Sequence, residues 1–97
     1  MHLITAKEVL NIYFMTKYYV YVLRSIDFNR NYTGFTSDIE KRLAEHNSGK
    51  TKSTKPYRPW EILFYEEYDN KADALKREKY LKSGVGREYV KNKYLAS

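Results

Sequence analysis

The chain has 97 residues, a length that accommodates one domain with one modest hydrophobic core. It contains no cysteine, so disulfides and thiolate metal sites are excluded. The formal charge of +6 and the isoelectric point near 9.4 favour an anionic partner, either a nucleic acid or a membrane surface. A lysine-rich surface without a specific partner is the alternative, because sign alone does not establish clustering.

The N-terminal stretch differs from the rest of the chain. Residues 1–15 have no clear periodicity and are expected to be an extension, either a short helix or disordered, and residues 16–97 are expected to form the domain. The stretch lacks the charged start and long apolar middle of a secretory signal. No apolar run approaches the roughly 20 residues that span a bilayer, so we expect a cytoplasmic protein with no membrane partner.

Two strands are predicted near the start of the domain. Tyr18–Leu23 consists almost entirely of aromatic and branched side chains, and Asn31–Phe35 follows after a short loop. The two strands are expected to pair as an antiparallel hairpin, in which Gly34 indicates a bulge or a close approach to the backbone. Three side chains of the first strand share one face: Tyr19, Tyr21 and Leu23.

A helix and a basic loop follow the hairpin. Ser37 and Glu40 have the spacing of a capping box, which places Ser37 at the N-cap of a helix that continues to about Asn47. Gly49 is positioned to end this helix. Its core-facing residues are expected to be Ile39, Leu43 and Ala44. The loop 48–59 carries four positive charges and no acid.

The C-terminal half contains a third predicted strand and two helices. Trp60–Tyr65 alternates around Ile62 and Phe64, and Lys71–Lys82 is a helix capped by Asn70. The segment 83–86 is expected to break this helix, with a short final helix over 87–95. The order β-β-α-β-α-α predicts an α/β fold with a three-stranded, mainly antiparallel sheet flanked by helices.

Glu78 occupies an unusual position on its helix. Helical spacing puts it on the apolar stripe that contains Ala74, Leu75 and Leu81, where an unpaired carboxylate is not expected. It must therefore meet a cation, which is a metal ion, Arg42 or a lysine whose ammonium reaches back along the helix.

Other polar and aromatic side chains offer candidate chemistry. Arg42 and His46 are four residues apart and lie one above the other at the edge of the first helix, as catalytic groups or as ordinary boundary residues. Tyr21 and Tyr32 lie on adjacent strands and can present their phenols to one cleft, or can be core residues. With two histidines and no glycine-rich phosphate loop, multi-histidine zinc sites and P-loop nucleotide sites are not predicted.

Taken together, these residues resemble the GIY-YIG nuclease family. The chain reads Tyr19-Val20-Tyr21, then Tyr32-Thr33-Gly34 after ten residues, and then Arg42, His46 and a late helical Glu78. The resemblance covers about residues 17–94. Within the family, the chain is similar to the small stand-alone bacterial branch, which is related to the N-terminal nuclease domain of the excision-repair incision subunit.

The resemblance implies a metal-dependent endonuclease that hydrolyses a DNA phosphodiester, with a role in DNA repair. It implies one Mg²⁺ or Mn²⁺ ion, with Glu78 as the metal ligand. The implied catalytic residues are Tyr21, Tyr32, Arg42, His46 and Glu78. Of the two phenols, Tyr21 is favoured as the base that deprotonates the attacking water, after acidification by neighbouring cations. Separately from the resemblance, the charge of the loop 48–59 predicts contact with DNA phosphates through Lys50, Lys52, Lys55 and Arg58, with Tyr57 available to stack on a base. A solvated loop without a DNA contact is the alternative.

Three departures from the family pattern point to weaker catalysis. Phe35 stands where some relatives have lysine, Val90 stands where many have asparagine, and Tyr19 replaces the glycine of the first motif. Two alternatives therefore stay open at this point. One is a catalytically weak module that binds nucleic acid or a protein partner, and the other is a purely structural protein with a buried Glu–Arg pair.

Overall fold

The structure is a computed structural model, and it describes residues 3–9 and 16–95. Three antiparallel strands form one sheet: β1 (Tyr18–Ser25), β2 (Asn31–Thr36) and β3 (Trp60–Tyr68). The strand order is β2-β1-β3, so the hairpin partner β2 lies at one edge of the sheet and β3 at the other.

Helices cover both faces of this sheet. They are α1 (Ile39–Ser48), α2 (Lys71–Lys82) and α3 (Gly84–Val90), and α3 runs on into a π-helical turn, Lys91–Leu95. A short 3₁₀ turn, Lys55–Tyr57, lies in the loop before β3. The predicted fold class, a three-stranded antiparallel sheet flanked by helices in the order β-β-α-β-α-α, is confirmed.

The alternation of β1 divides the core into two clusters. Val20 and Val22 point toward α2 and α3, where they pack with Ala74, Leu81 and Val90. The opposite face carries a second cluster of Tyr21, Leu23 and Trp60, with Tyr32, Leu43, Tyr57 and Ile62 packed against it. Because the sheet is buried on both sides, β1 has almost no exposed side chain in its centre.

A bulge in β3 makes the expected alternation around Ile62 and Phe64 wrong. Val22 pairs with Phe64 but Leu23 pairs with Ile62, so Leu63 is an extra residue on the β3 side. Ile62 therefore packs in the Tyr21 cluster, whereas Phe64 packs in the Val20 cluster and stacks on Tyr94 at 4.1 Å between ring centroids. Simple alternation places both on one face, and no sequence signal marks the bulge.

Two expectations for helix α1, its N-cap and the burial of Ala44, are also wrong. Its N-cap is Asp38, whose carboxylate accepts the backbone N–H of Lys41 at 3.1 Å, and not Ser37. Ala44 is exposed, while Leu43 is half-buried against the sheet. Gly49 ends the helix as predicted, in the left-handed conformation at φ 85°.

The connection between α2 and α3 is tighter than predicted. Only Ser83 interrupts the two helices, and its hydroxyl caps α3 by accepting the N–H of Gly86. A side chain at Gly86 would meet the carbonyl oxygen of Tyr80 at 2.0 Å, so this glycine permits close packing of the two helices. The expected break over 83–86, with a helix starting at Arg87, is therefore wrong.

The N-terminal segment 3–9 contains one helical turn over 6–9. Its apolar side chains Leu3, Ile4 and Val9 are all more than half exposed. Leu10 and Met15, which the proposed domain boundary also involves, lie outside the described residues. Within the described ranges, no helix has the length and apolar character needed to cross a bilayer.

Candidate active site

The phenol of Tyr21 is positioned by the glycine opposite it in the sheet. Tyr21 pairs with Gly34 of β2, and its ring lies directly over that residue. A Cβ at position 34 would stand 2.6 Å from the Tyr21 hydroxyl oxygen. The sequence indicated a bulge or a close approach at Gly34, and the structure shows the close approach. The missing side chain lets Tyr21 extend across β2 toward the edge of the sheet.

A chain of hydrogen bonds leads away from this phenol through three buried side chains. The Tyr21 hydroxyl lies 3.0 Å from His46 Nε2, and His46 Nδ1 lies 2.9 Å from the Thr54 hydroxyl. Thr54 in turn donates to the backbone carbonyl of Thr51 at 3.3 Å. The carbonyl can only accept, so every donor in the chain is determined. Tyr21 donates to Nε2, and the Nδ1–H of His46 donates to Thr54.

Tyr32 completes an aromatic cluster with these residues. Its ring lies 4.7 Å from the His46 ring and 6.3 Å from the Tyr21 ring, centroid to centroid. Tyr21 and His46 are 2% and 1% exposed, whereas Tyr32 is half-buried. The sequence left open whether His46 is a surface histidine, and the structure buries it between two elements. Of the two phenols, Tyr32 is the more accessible from solvent.

Burial controls the protonation of both central groups. Loss of solvent raises the pKa of the Tyr21 phenol; the nearby Tyr32 and the Glu78 carboxylate raise it further, and Arg42 opposes them. The expectation that neighbouring cations acidify this phenol is therefore wrong for the protein alone. Burial, with a smaller effect from Arg42, lowers the pKa of His46. His46 is thus neutral at pH 7, with a free lone pair at Nε2 for the Tyr21 proton.

Arg42 lies at the exposed rim of this cluster. Its side chain is 44% exposed, and its Nε lies 3.6 Å from a Glu45 carboxylate oxygen. Because this contact is long and open to solvent, the guanidinium remains available to a phosphate. Its charge acts on both Tyr21 and His46, which places it beside the hydrogen-bonded chain.

Glu78 meets a lysine one turn along its own helix. Its carboxylate lies 3.3 Å from the Lys82 ammonium, and the two side chains are 18% and 53% exposed. Among the described residues, the ion pairs of Glu78 do not include Arg42, so the buried Glu–Arg pair is not formed. Ala74 and Leu81 flank Glu78 as buried residues, as the sequence indicated, but Leu75 is 39% exposed. The apolar stripe is therefore narrower than predicted.

The surroundings of Glu78 are compatible with one hard divalent cation. The Lys82 ammonium lies beside its carboxylate, so this position already accommodates a positive charge. Within the described ranges, no group of three or more histidine, aspartate or glutamate side chains is close enough to hold a metal ion. A single carboxylate suits Mg²⁺, which retains several waters and binds through one or two protein carboxylates together with substrate phosphate oxygens.

The basic loop is more ordered than its composition indicates. Lys50 pairs with Glu45 at 3.1 Å, and Arg58 Nε donates to the Lys55 carbonyl at 2.9 Å. One ring face of Tyr57 is covered by the Arg30 guanidinium, 4.7 Å from the ring centroid. Lys52 and Lys55 are exposed and have no ion pair among the described residues. Thus two of the loop's four cations are free.

Sequence reasoning did not identify two residues of this site. Thr54 is 1% exposed and anchors His46, but it lies in a polar loop whose composition gives no sign of burial. Lys82 is one of many lysines in the chain, and only its spacing of four from Glu78 could have singled it out.

Comparison with known proteins identifies the family of the chain. Residues 17–94 match the family described as the GIY-YIG catalytic domain, which is most of the chain. The chain therefore belongs to the GIY-YIG nuclease family.

Within that family, the chain is similar to small bacterial proteins that carry the name UPF0213. A UPF0213 protein of Staphylococcus saprophyticus is 43% identical over 70 residues, covering 71% of this chain and 84% of the relative. One from Syntrophus aciditrophicus is 49% identical over 70 residues, covering 70% and 79%. The solution NMR structure of a UPF0213 protein from Bacillus halodurans is 32% identical and covers 80% of this chain and 86% of that one, with a TM-score of 0.49.

Proposed function

We propose that this protein is an endonuclease that hydrolyses a DNA phosphodiester with the help of one divalent cation. The observation that carries the proposal is the Tyr21–His46–Thr54 hydrogen-bonded chain, which lies beside Tyr32 and Arg42 in a member of a nuclease family. Proteins of this family generally depend on a divalent metal ion. Glu78 would hold this ion, Mg²⁺ or Mn²⁺, and the ion would supply charge stabilisation for the leaving oxygen.

Tyr21 is the proposed base because its own proton has a defined acceptor. A water that attacks phosphorus gives its proton to the Tyr21 oxygen while the Tyr21 proton moves to His46 Nε2. This coupled transfer never forms a free phenolate, which burial disfavours. It requires a neutral His46, and burial keeps the ring neutral. Tyr32, at the accessible side of the cluster, orients the water.

Arg42 is the proposed ligand of the scissile phosphate. Its planar guanidinium offers paired N–H donors to two non-bridging oxygens, where negative charge builds up during in-line attack. Its contact with Glu45 is long, so a phosphate can replace it without loss of a strong ion pair. The exposed cations of the loop, Lys52 and Lys55, are proposed to hold neighbouring phosphates of the DNA.

One observation favours a second candidate, a nucleic-acid-binding module with weak catalysis. Val90 stands where many relatives have asparagine, and here it is 5% exposed and packed in the core. Asn92, the nearby amide, is exposed on the π-helical turn. The site therefore lacks one polar group that other members of the family bring to it.

Cleavage of defined oligonucleotides tests the proposal. The protein is incubated with single-stranded, duplex, nicked and branched DNA in Mg²⁺, in Mn²⁺ and in EDTA. Metal-dependent cleavage of any of these supports the endonuclease, and preference for nicked or branched DNA supports a role in repair. Binding without cleavage under every condition supports the second candidate and overturns the first.

Tyrosine variants test which phenol is the base. Tyr21→Phe is expected to lower the single-turnover cleavage rate by about 10²–10⁴-fold, the usual contribution of general acid–base catalysis. Tyr32→Phe is expected to have a smaller effect, and Tyr65→Phe, at an exposed tyrosine of β3, is expected to have none. A larger loss in Tyr32→Phe than in Tyr21→Phe would assign the base to Tyr32.

A further inference from the structure

A basic groove lies between the β1–β2 hairpin and the helices α2 and α3, with Tyr32 in its lining. Its volume is about 750 Å³, and its walls are the β1–β2 hairpin on one side and the ends of α2 and α3 on the other. Val22 of β1 contributes to its lining. None of these residues was predicted from the sequence to contact a ligand, apart from Tyr32 at the end of the groove nearest the candidate active site.

The groove has charge of one sign. Four of its lining residues are cationic and none is acidic: Arg30, Lys82, Arg87 and Lys91. The chain as a whole has 18 basic and 12 acidic residues, so an acid-free lining with four cations is a local concentration of positive charge. Clustering of this kind is the electrostatic feature of a polyanion site, and overall charge alone does not provide it.

Two of these cations are free to bind a ligand. Arg87 and Lys91 are exposed, and neither has an ion-pair partner in the part of the chain that the structure describes. They are four residues apart on a continuous helical segment, so their side chains lie on one face, about 6 Å apart along the axis. In contrast, the Arg30 guanidinium covers the Tyr57 ring, and Lys82 is paired with Glu78.

The groove is continuous with the candidate active site. Tyr32 lines the groove and also contacts the His46 ring, and Lys82 lines the groove and also contacts Glu78. A strand whose scissile phosphate lies at Tyr32 and Arg42 therefore has a path lined with cations next to it. Tyr32 is the one aromatic side chain in the lining, so the groove offers phosphate contacts and little surface for stacking bases.

We propose that this groove binds the phosphate backbone of the nucleic-acid strand adjacent to the cleavage point, through Arg87 and Lys91. The inference rests on the proposed nuclease function and adds the path of the substrate to it. Contacts to phosphates carry no sequence information, so this groove fixes the position of the strand without selecting its sequence.

The test is the salt dependence of binding in EDTA, where no cleavage occurs. A fluorescent single-stranded oligonucleotide is titrated by anisotropy from about 50 to 200 mM KCl. Arg87→Gln and Lys91→Gln are each expected to weaken binding and to lower the slope of log K against log salt by about 0.7, the value for one phosphate contact on a single strand. The double variant is expected to lower the slope by about twice that amount.

Lys76→Gln is the matched control. It removes one charge from α2 at a position that borders Tyr68 and Arg77, outside the groove. Its slope is expected to equal that of the wild type. Two results would overturn the groove as a strand path. One is a slope of log K against log salt in the double variant that equals the wild-type slope, and the other is a decrease in slope in Lys76→Gln that equals the decrease in the groove variants. Circular dichroism of all variants checks that each remains folded, as expected because the substituted side chains are exposed.

The outcomes separate this inference from the nuclease proposal. If the wild type cleaves DNA and the groove variants bind and cleave like it, the strand path is wrong and the nuclease stands. If the groove variants lose affinity while no DNA is cleaved with any metal, the strand path stands and the nuclease proposal fails. If the wild-type chain neither binds an oligonucleotide nor cleaves DNA with any metal, both are overturned.

Discussion

The two ring nitrogens of His46 have different partners. Protonation of this ring therefore affects the stability of the fold as well as the proposed proton transfer. Nε2 accepts from Tyr21 and Nδ1 donates to Thr54, so a second proton on the ring, at Nε2, deprives the Tyr21 hydroxyl proton of its acceptor. Burial, which lowers the pKa of His46 in the folded protein, adds to that cost. The unfolded chain therefore binds this proton more readily than the folded one.

The pH dependence of folding follows from that difference in pKa. His46 contributes stability above its unfolded pKa of about 6.5, and this contribution is lost as the pH falls from there through the folded pKa. Denaturant unfolding at pH 7.5 and at pH 5.5, values on either side of the unfolded pKa of about 6.5, measures the loss. His46→Gln is expected to reduce the difference between the two pH values, and His2→Gln, which retains His46, is expected to preserve it. An unchanged difference in His46→Gln would mean that the ring is not held neutral.

Glu78→Gln separates a metal ligand from a structural ion pair. The Lys82 side chain of the Glu78–Lys82 pair is 53% exposed, so loss of the pair is expected to change the free energy of unfolding by about 0–1 kcal/mol. A pair that is essential to the core would cost about 3–5 kcal/mol. Cleavage and Mg²⁺ binding are expected to be abolished, while DNA affinity is retained or increases because one negative charge near the phosphate is removed. The matched control is Glu88→Gln, at an exposed glutamate of α3. A variant that melts far lower yet still cleaves when folded would refute the metal role.

At the scale of elements, the N-cap of α1 distinguishes two neighbouring residues. Asp38 accepts the Lys41 N–H, whereas Ser37 is exposed and lies one position before the cap. Asp38→Ala is therefore expected to destabilise the protein by about 1 kcal/mol, and Ser37→Ala by much less. Thermal unfolding of the two variants measures the difference. Equal losses, or a larger loss in Ser37→Ala, would support the capping box that the sequence pattern favours.

The basic loop 48–59 provides a second test at this scale. Neutralising all four cations is expected to weaken DNA binding and to flatten its dependence on salt. The pair Lys52→Gln/Lys55→Gln should account for most of the effect, because these side chains are free. Lys50→Gln/Arg58→Gln serves as the matched pair, since both cations already bond within the protein. An unchanged slope in the fourfold variant would remove the loop from the binding face.

For the molecule as a whole, the fold is expected to be independent of residues 1–14. The side chains of Ile4 and Val9 are 60% and 53% exposed, and both core clusters lie within β1 to the π-helical turn. A chain that begins at Met15 is expected to melt within about 4 °C of the full chain, which corresponds to less than about 1 kcal/mol for a domain of this size. Calorimetry of the two chains measures this. A much larger decrease would show that the N-terminal segment packs on the domain.

Local patterns in the sequence determined much of the architecture. The run of β-branched and aromatic residues in β1, the Asn70 cap and the Lys71–Lys82 helix were all predictable, because each depends on side chains near one another in the chain. Gly34 could likewise be singled out, because glycine weakens the interior of a strand and is typical of a bulge or of a point where another group comes close to the backbone. Tyr21, Tyr32 and His46 were named as one site from family resemblance, and the structure brings these three side chains together.

Tertiary structure decided the features that depend on residues far apart in the chain. The bulge at Leu63 moved Phe64 to the opposite face from Ile62, and it arises from pairing with β1, which no local pattern of β3 records. Thr54 became the anchor of His46 because the loop folds back over α1, and the raised pKa of Tyr21 comes from burial between layers. The groove along β2 joins side chains from several elements, so its charge becomes visible only when the helices are packed. Periodicity reports which face a residue occupies, whereas hydrogen-bond partners, burial and clefts depend on what lies across from that face.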